Sequence, residues 1–148
     1  MRTIREAYAA FWGGFLDRSV TPHRQIPSFP AGYVVFRDAQ GRPIPEVNWT
    51  ANMWPYITHR PILTPFNGET ITDASVWDRP PNTAQNPFAR VDDVLEQVRE
   101  AVGAGVILDV AGRGSIYIRP SNPMFDYLDE PDDAQITRGI IRLIVANT

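Results

Sequence analysis

The sequence predicts a single α+β domain over residues 1–148, in which a mostly antiparallel β-sheet is flanked by two α-helices and preceded by a long proline-rich loop. Three observations support this fold class. The length of 148 residues is that of one domain. Hydrophobic residues make up 43% of the chain and charged residues 21%, which is sufficient for a packed core. The strand-like segments mostly follow one another across short turns, which favours antiparallel pairing.

The first predicted element is a helix over residues 1–16, which begins at Thr3 and ends near Leu16. Thr3 and Glu6 have the spacing of a capping box, which satisfies free N–H groups at a helix start. We interpret the apolar face of this helix as part of the core, and the alternative is that Phe11 and Trp12 contact a neighbouring subunit. The face consists of Ile4, Tyr8, Phe11, Trp12 and Phe15.

Residues 17–54 are predicted to form an extended proline-rich loop with one short strand at Tyr33–Arg37. The chain contains fourteen prolines, which are concentrated between Pro22 and Pro87. Proline removes a backbone donor and disfavours helix, so this region is expected to be irregular. A connection of this length usually carries a function or reaches a partner.

Residues 55–148 are predicted to form the sheet-and-helix core. The strands Pro55–Thr64 and Glu69–Arg79 form a hairpin across an Asn-Gly turn, and Pro61 indicates that the first of them is an edge strand or contains a bulge. Arg90–Val102 is the clearest helix, because its apolar residues recur at helical spacing. There follow hairpin strands at Val106–Val110 and Ser115–Arg119, an acidic loop at Pro120–Gln135 and a final strand at Ile136–Ala146.

The predicted core lies between one face of the sheet and the apolar stripe of the second helix. Strand side chains alternate between faces, whereas helix side chains return to the same face every three or four residues. The sheet is expected to contribute Ile57, Val76, Leu108, Ile116, Ile118, Ile141, Leu143 and Val145, and the helix Val91, Val94, Leu95 and Val98.

No residue pattern of a catalytic, cofactor-binding or metal site is found in the sequence. The absence of cysteine excludes thiolate ligands and nucleophiles, and all fourteen basic residues are arginine, which excludes lysine chemistry. His23 and His59 lack a further ligand at metal-binding spacing, and we interpret His59 as a hydrogen-bonded surface or interface residue. Gly112-Arg113-Gly114 lacks the rest of a phosphate loop and is interpreted as a turn. We therefore expect a protein that is not an enzyme.

Charge and hydropathy exclude two further classes of partner. A net charge of −3 argues against sequence-specific nucleic-acid binding, which normally needs a basic surface. No stretch approaches the roughly 20 apolar residues of a membrane span. A monomeric ligand-binding domain and a small hydrolase that uses Asp and His remain alternatives.

The final strand places arginines on the face opposite its apolar core residues. Arginine suits interfaces because its planar guanidinium pairs with carboxylates while its stem packs. We expect Arg138 and Arg142 to meet acidic groups of an adjacent subunit, namely Asp129, Asp132 or Asp133. Pairing within the same chain is the alternative.

Residues 50–148 contain several short patterns in a recognisable order. These are Pro55-Tyr56-Ile57 opening a strand, Val76-Trp77-Asp78-Arg79 closing the next, the helix Val91–Val102, Ile116-Tyr117-Ile118 in a hairpin, Asn122-Pro123 before the acidic loop, and Thr137-Arg138-Gly139-Ile140-Ile141 opening the last strand. In this order the chain resembles the tail terminator (tail completion) proteins of tailed bacteriophages. The insertion between Val20 and Trp54 is longer than this family leads one to expect.

The resemblance implies a virion structural protein of the tail or neck that is made in the host cytoplasm. Such proteins assemble as a hexameric ring on the last ring of the tail tube, stop tube polymerisation and present a surface to a head-side connector or stopper protein. Their partners would be further copies of the chain, the tail-tube protein and that connector, around a channel for DNA. Another neck or tail component, such as a head–tail connector, is the alternative.

Overall fold

The computed structural model describes residues 2–60, 69–110, 114–130 and 135–147, and it has the predicted α+β fold. Helix α1 spans Arg2–Trp12 and helix α2 spans Ala89–Val102. Two short 3-10 helices lie at Glu46–Asn48 and Ala51–Met53. The strands are β1 (Leu16–Asp17), β2 (Arg24–Gln25), β3 (Ser28–Pro30), β4 (Tyr56–His59), β5 (Glu69–Asp78), β6 (Val106–Val110), β7 (Gly114–Glu130) and β8 (Ile136–Asn147).

Six strands form one sheet in the order β3-β4-β5-β8-β7-β6, and β1 pairs with β2 in a separate two-stranded ribbon. All neighbours in the large sheet are antiparallel except β3 and β4, which are parallel. Strand β8 occupies a central position, with β5 along one side and β7 along the other.

The main core lies on the face of the sheet that α1 and α2 cover, as predicted. Eleven of the twelve expected core residues are buried, and Leu108 is half-buried against them. The aromatic face of α1 joins the same core through Tyr8, Trp12 and Phe15, while Phe11 packs against it from the edge. Trp12 has no exposed surface, which corrects the alternative expectation that it contacts a neighbouring subunit. The side chains of Thr3 and Ile4 lie outside the described part of the chain.

Several predicted boundaries are corrected. Helix α1 ends at Trp12 instead of Leu16, because Leu16 already pairs with Gln25 in the β1–β2 ribbon. The strand expected at Tyr33–Arg37 is not formed; a single bridge joins Arg37 to Pro43. Strand β4 is not at the edge of the sheet, because β3 pairs alongside it. The predicted turn of the first hairpin and residues 61–64 lie outside the described residues.

The largest correction concerns the expected acidic loop, most of which is strand. Strand β7 continues through residues 120–130, and its ladder with β8 is interrupted only between Pro120 and Phe125. Prolines and acidic residues made this segment look like a loop, but β8 supplies backbone hydrogen-bond partners on both sides of the interruption. Asp132 and Asp133 lie outside the described residues.

Most of the proline-rich segment is irregular, as predicted, but it contains the short strands β2 and β3, which were not predicted, and it packs against the sheet. It folds over one half of the sheet face that the helices leave open, and it forms a second hydrophobic cluster there. We call this the aromatic cluster; Trp54, Tyr56 and Ile136 are buried in it, and Phe29, Val34, Phe36, Trp49 and Trp77 pack around them. Both faces of the sheet are therefore covered where the proline-rich segment packs. At the other end of the sheet, only the face that the helices cover is buried.

Candidate functional site

The uncovered half of the outer sheet face carries apolar side chains from four strands, which we call the outer patch. It crosses four strands, because Ile71 lies opposite Ile144, Ala146 lies opposite Tyr117, and Tyr117 lies opposite Ile107. Ile71 is 71% exposed and Ile107 is 60% exposed, whereas the other three are half-buried. Clustered apolar side chains on an uncovered face mark a site of protein contact more often than isolated surface hydrophobics do. The Arg119–Glu69 ion pair crosses β8 within this patch, from beside Ile144 to beside Ala146.

A row of alternating charges separates the outer patch from the aromatic cluster. Arg60 Nε lies 3.0 Å from Asp73 Oδ1, and Asp73 lies opposite Arg142 in the β5–β8 register. Arg142 Nη1 in turn lies 3.8 Å from Asp126 Oδ2 on β7. On the other side of the row, Arg119 reaches across β8 to Glu69, with 2.7 Å between Nη2 and Oε1. Exposed pairs of this kind contribute about 0–1 kcal/mol each, so we interpret them as setting the charge pattern of the surface.

The two arginines that the sequence singled out, Arg138 and Arg142, both lie on this outer face. The guanidinium of Arg138 lies over the ring of Trp77, and its Nε donates a hydrogen bond to Ser75 Oγ at 3.0 Å. Arg142 approaches Asp126, an earlier member of the same acidic run. The backbone of Asp129 pairs with Thr137, and its side chain lies outside the described part. The contact between Arg142 and Asp126 can be predicted only if residues 120–130 are recognised as a strand beside β8.

A buried ion pair joins the end of β5 to the start of α2. The Asp78 side chain is 1% exposed, and Arg90 holds it with Nε donating to Oδ2 at 2.9 Å and Nη2 lying 2.7 Å from Oδ1. Burial raises the pKa of Asp78, and the charge of Arg90 and its hydrogen bond oppose that rise. Asp17 and Asp93 nearby are also paired, with Arg24 and Arg18 respectively. These ion pairs connect the β1–β2 ribbon to α2 and α2 to strand β5 of the sheet.

Helix α1 and strands β3 and β4 enclose a mostly apolar cavity of about 250 Å³, which we call the histidine groove. Its lining comprises Arg5, Glu6, Tyr8, Ala9, Pro30, His59 and Arg60. His59 is only 6% exposed. Its ring packs edge to face against the ring of Tyr8, with 5.9 Å between the two ring centroids. Burial lowers the pKa of His59, so the imidazole is neutral at pH 7. His59 is therefore not a surface residue, which corrects one of the two alternatives, and the interface alternative stays a prediction.

The solvent face of α2 carries a line of carboxylates, which we call the acidic stripe. Asp92, Glu96 and Glu100 are all exposed and are spaced four residues apart, so they lie along one side of the helix. Glu96 pairs with Arg99 at 3.2 Å. Like charges at this spacing destabilise an isolated helix by about 0.2–0.5 kcal/mol per pair. Asp92 lies in the first turn, where the helix dipole favours a negative charge.

Within the described ranges, no group of three or more His, Cys, Asp or Glu side chains is placed to hold a metal ion. Among those same residues, no helix is long and apolar enough to cross a membrane. No family model, curated protein or solved structure matches the chain. The candidate sites that the described residues offer are three surfaces: the outer patch, the histidine groove and the acidic stripe.

Proposed function

We propose that this chain is a virion structural protein of the head–tail neck of a tailed bacteriophage, similar to a tail terminator. In this role it forms a hexameric ring on the tail tube and stops further polymerisation. The outer patch is the observation that carries the proposal, because it places apolar side chains of four strands on a sheet face that the rest of the described chain leaves uncovered. The order of sequence patterns over residues 50–148 supports the same family of functions.

A subunit that caps a tube needs surfaces for two kinds of contact. It must bind its neighbours in the ring, and it must bind the tube or the connector above and below the ring. The chain offers the outer patch on one face of the sheet, and the histidine groove and acidic stripe on the helical side. Contacts between unlike surfaces close into a ring when the rotation between copies permits it.

The composition of the outer patch fits the contact with another protein. It contains Ile71, Ile107 and Ile144, with the Arg119–Glu69 ion pair across it and the Arg142–Asp126 pair beside it. Protein interfaces combine apolar contacts with polar ones, so this mixture is compatible with a protein contact. We assign the patch to the axial contact, with the tail-tube protein as the partner.

A tube-assembly assay tests the proposal. Added during polymerisation of the matching tail-tube protein, the chain should bind tube ends and shorten the tubes as its concentration rises. An Ile71→Glu/Ile107→Glu variant should lose this effect, because it places two charges in the contact. Val47→Glu is the matched control, since Val47 is 89% exposed but lies outside the patch.

The phenotype of particles gives a second readout. Particles that lack the protein should carry abnormally long tubes that fail to join filled heads. Tails of normal length on such particles, together with tubes that ignore the added protein, would rule out termination. That result would favour a head–tail connector as the role of the chain.

A further inference from the structure

We propose that residues 32–53, which we call the strap, form a lid that lifts from the outer sheet face as one unit. The strap covers the aromatic cluster, so its opening controls how much of that face is available for contact with another protein. The inference rests on the proposed function in one respect, namely that the outer sheet face is a contact surface. The opening itself depends only on how the strap is attached to the rest of the chain.

The strap satisfies its polar groups within itself. Ile44 N donates a hydrogen bond to Phe36 O at 2.7 Å, and the Asp38 carboxylate lies 3.3 Å from Nε of Arg42. Apart from the turn hydrogen bonds at its two ends, no residue of the strap makes a hydrogen bond or ion pair to the rest of the described chain. Lifting the strap therefore breaks no polar contact with the described part of the sheet.

Two aromatic rings of the strap pack on the sheet. The ring of Phe36 lies 5.1 Å from that of Phe29 and 6.0 Å from that of Tyr56, between centroids. The ring of Trp49 lies 5.7 Å from both Trp54 and Tyr56. No residue of the strap is buried, so these contacts are all made by half-buried side chains. Segments with few buried apolar contacts open locally at a lower cost than global unfolding.

The two ends of the strap are anchored, whereas one of its margins is not packed. Ala31 N donates a hydrogen bond to His59 O at 2.8 Å, and Arg24 Nη2 donates one to Trp54 O at 2.9 Å. Along the margin, a cavity of about 300 Å³ lies between the strap and residues 79–82, which follow β5. A segment that is fixed at both ends and separated from its neighbour by a cavity can lift about those ends as a hinged body.

The surface beneath the strap lies on the same sheet face as the outer patch. We call this surface the floor; it consists of Phe29, Trp54, Tyr56, Trp77 and Ile136. The row of charges lies between the floor and the outer patch. When the strap lifts, both surfaces are uncovered, and a protein bound on this face gains contact with the floor as well. Such a partner binds the open state better and shifts the population toward it.

Thiol labelling measures the opening, because the chain has no cysteine of its own. Ile136→Cys places a thiol in the floor, and Ile141→Cys places one on the same strand in the main core. Under native conditions the floor thiol should react with a maleimide dye about tenfold faster or more, because it needs only the strap to lift. Equal rates would mean that the floor opens only with global unfolding, which would overturn the inference.

Variants of the strap separate its opening from fraying at the end of β8. Phe36→Ala should raise the labelling rate of the Ile136→Cys thiol about tenfold, because one of the two rings is lost, and leave the Ile141→Cys thiol unchanged. Tyr33→Ala is the matched control, since Tyr33 lies on the strap but is 71% exposed. If Phe36→Ala fails to fold, Phe36→Leu removes the ring and keeps an apolar side chain. An unchanged floor rate, or an equal rise at both thiols, would refute the lid.

The tube-assembly assay connects the lid with the contact on the outer face. Phe36→Ala should shorten tubes at a concentration several-fold lower than the wild-type chain needs, because more of the protein is in the open state. Tyr33→Ala should need the wild-type concentration. If Phe36→Ala needs it too, the floor takes no part in the contact and the lid does not control it.

The failure of the inference and that of the proposed function are distinguishable. A chain that shortens tubes while its floor and core thiols react at equal rates keeps the function and refutes the lid. A chain whose floor labelling depends on Phe36 but which leaves tubes unaffected keeps the lid and refutes tail termination.

Discussion

The guanidinium of Arg138 lies over the indole ring of Trp77, with its central carbon 4.3 Å from the ring centroid. The two residues face each other across β5 and β8, and both are tied to neighbouring side chains. Trp77 Nε1 donates a hydrogen bond to Thr58 Oγ1 at 2.9 Å, and Arg138 Nε donates one to Ser75 Oγ. Arg138 therefore packs on the aromatic cluster of its own chain, and its contact with an adjacent subunit stays a prediction.

Replacing Arg138 by Met tests the strength of this contact. The variant keeps an apolar stem over Trp77 but removes the charge, so it should lower the free energy of unfolding by about 0.5–1 kcal/mol. Urea denaturation followed by tryptophan fluorescence measures the change. Arg142→Met is the matched control, because its partner Asp126 is 3.8 Å away and exposed, and it should cost less. Equal losses in the two variants would show that the ring contact adds nothing.

Leu143 lies at the centre of β8 on the face that the helices cover. It has no exposed surface, so Leu143→Ala should lower the free energy of unfolding by about 2–5 kcal/mol through lost burial and a residual cavity. Ile144→Ala removes an apolar side chain one position away on the half-exposed outer face, and it should cost less. Chemical denaturation of both variants decides the point, and a loss below about 1 kcal/mol for Leu143→Ala would contradict the assigned core.

Gly139 allows helix α2 to approach β8 closely. A Cβ atom at this position would lie 2.6 Å from Cγ1 of Val91, which is below any normal contact distance. Gly139→Ala should therefore destabilise the protein by about 1–3 kcal/mol through overpacking. Adding Val91→Ala removes the clashing methyl group. The free energy of unfolding of the double variant should therefore fall by less than the sum of the losses in the two single variants. Strict additivity of the two changes would argue against the close approach.

The Asp78–Arg90 pair makes stability depend on pH in a defined direction. Arg90→Leu leaves the buried carboxylate without its cation and should cost about 3–5 kcal/mol at pH 7. The loss should shrink as the pH falls, because the pKa of Asp78 is already raised by burial and rises further without Arg90. The folded variant then binds a proton at a pH where the unfolded chain does not, which favours the folded state.

Urea unfolding at several pH values measures this dependence. The double variant Asp78→Asn/Arg90→Leu removes the charge and should recover most of the loss at pH 7. If Arg90→Leu lowers the free energy of unfolding by the same amount at every pH, the buried carboxylate of Asp78 is not the cause of the destabilisation.

The parts of the fold that the sequence predicted are those with strong local patterns. Helix α2 and strand β8 have apolar residues at regular spacing, and both were placed within a few residues of their ends. Local patterns do not predict strand β7 beyond Pro120, because its prolines and acidic residues favour a loop. This segment is a strand because its backbone pairs with β8. Local propensity is a weak guide where a tertiary partner supplies the hydrogen bonds.

The candidate surfaces were harder to predict for the same reason. The contact of Arg142 with Asp126 depends on the register of β7 beyond its irregularity, which no local pattern specifies. The burial of His59 depends on Tyr8, which is some fifty residues away in the sequence and reaches it only through the packing of α1. The outer patch likewise exists only because four separate strands place Ile71, Ile107 and Ile144 on one face.

The central position of β8 has a consequence for synthesis on the ribosome. Strands β3, β4 and β5 form one block and β6 and β7 another, and they are joined in the sheet only through β8. Residues 136–147 are translated after every other strand, so the two blocks cannot merge while the chain is still short of Ile136. Nascent chains of that length would expose the apolar face of each block. The final collapse of the sheet is thus a late event, and premature termination before β8 should yield polypeptides that quality-control proteases recognise as unfolded.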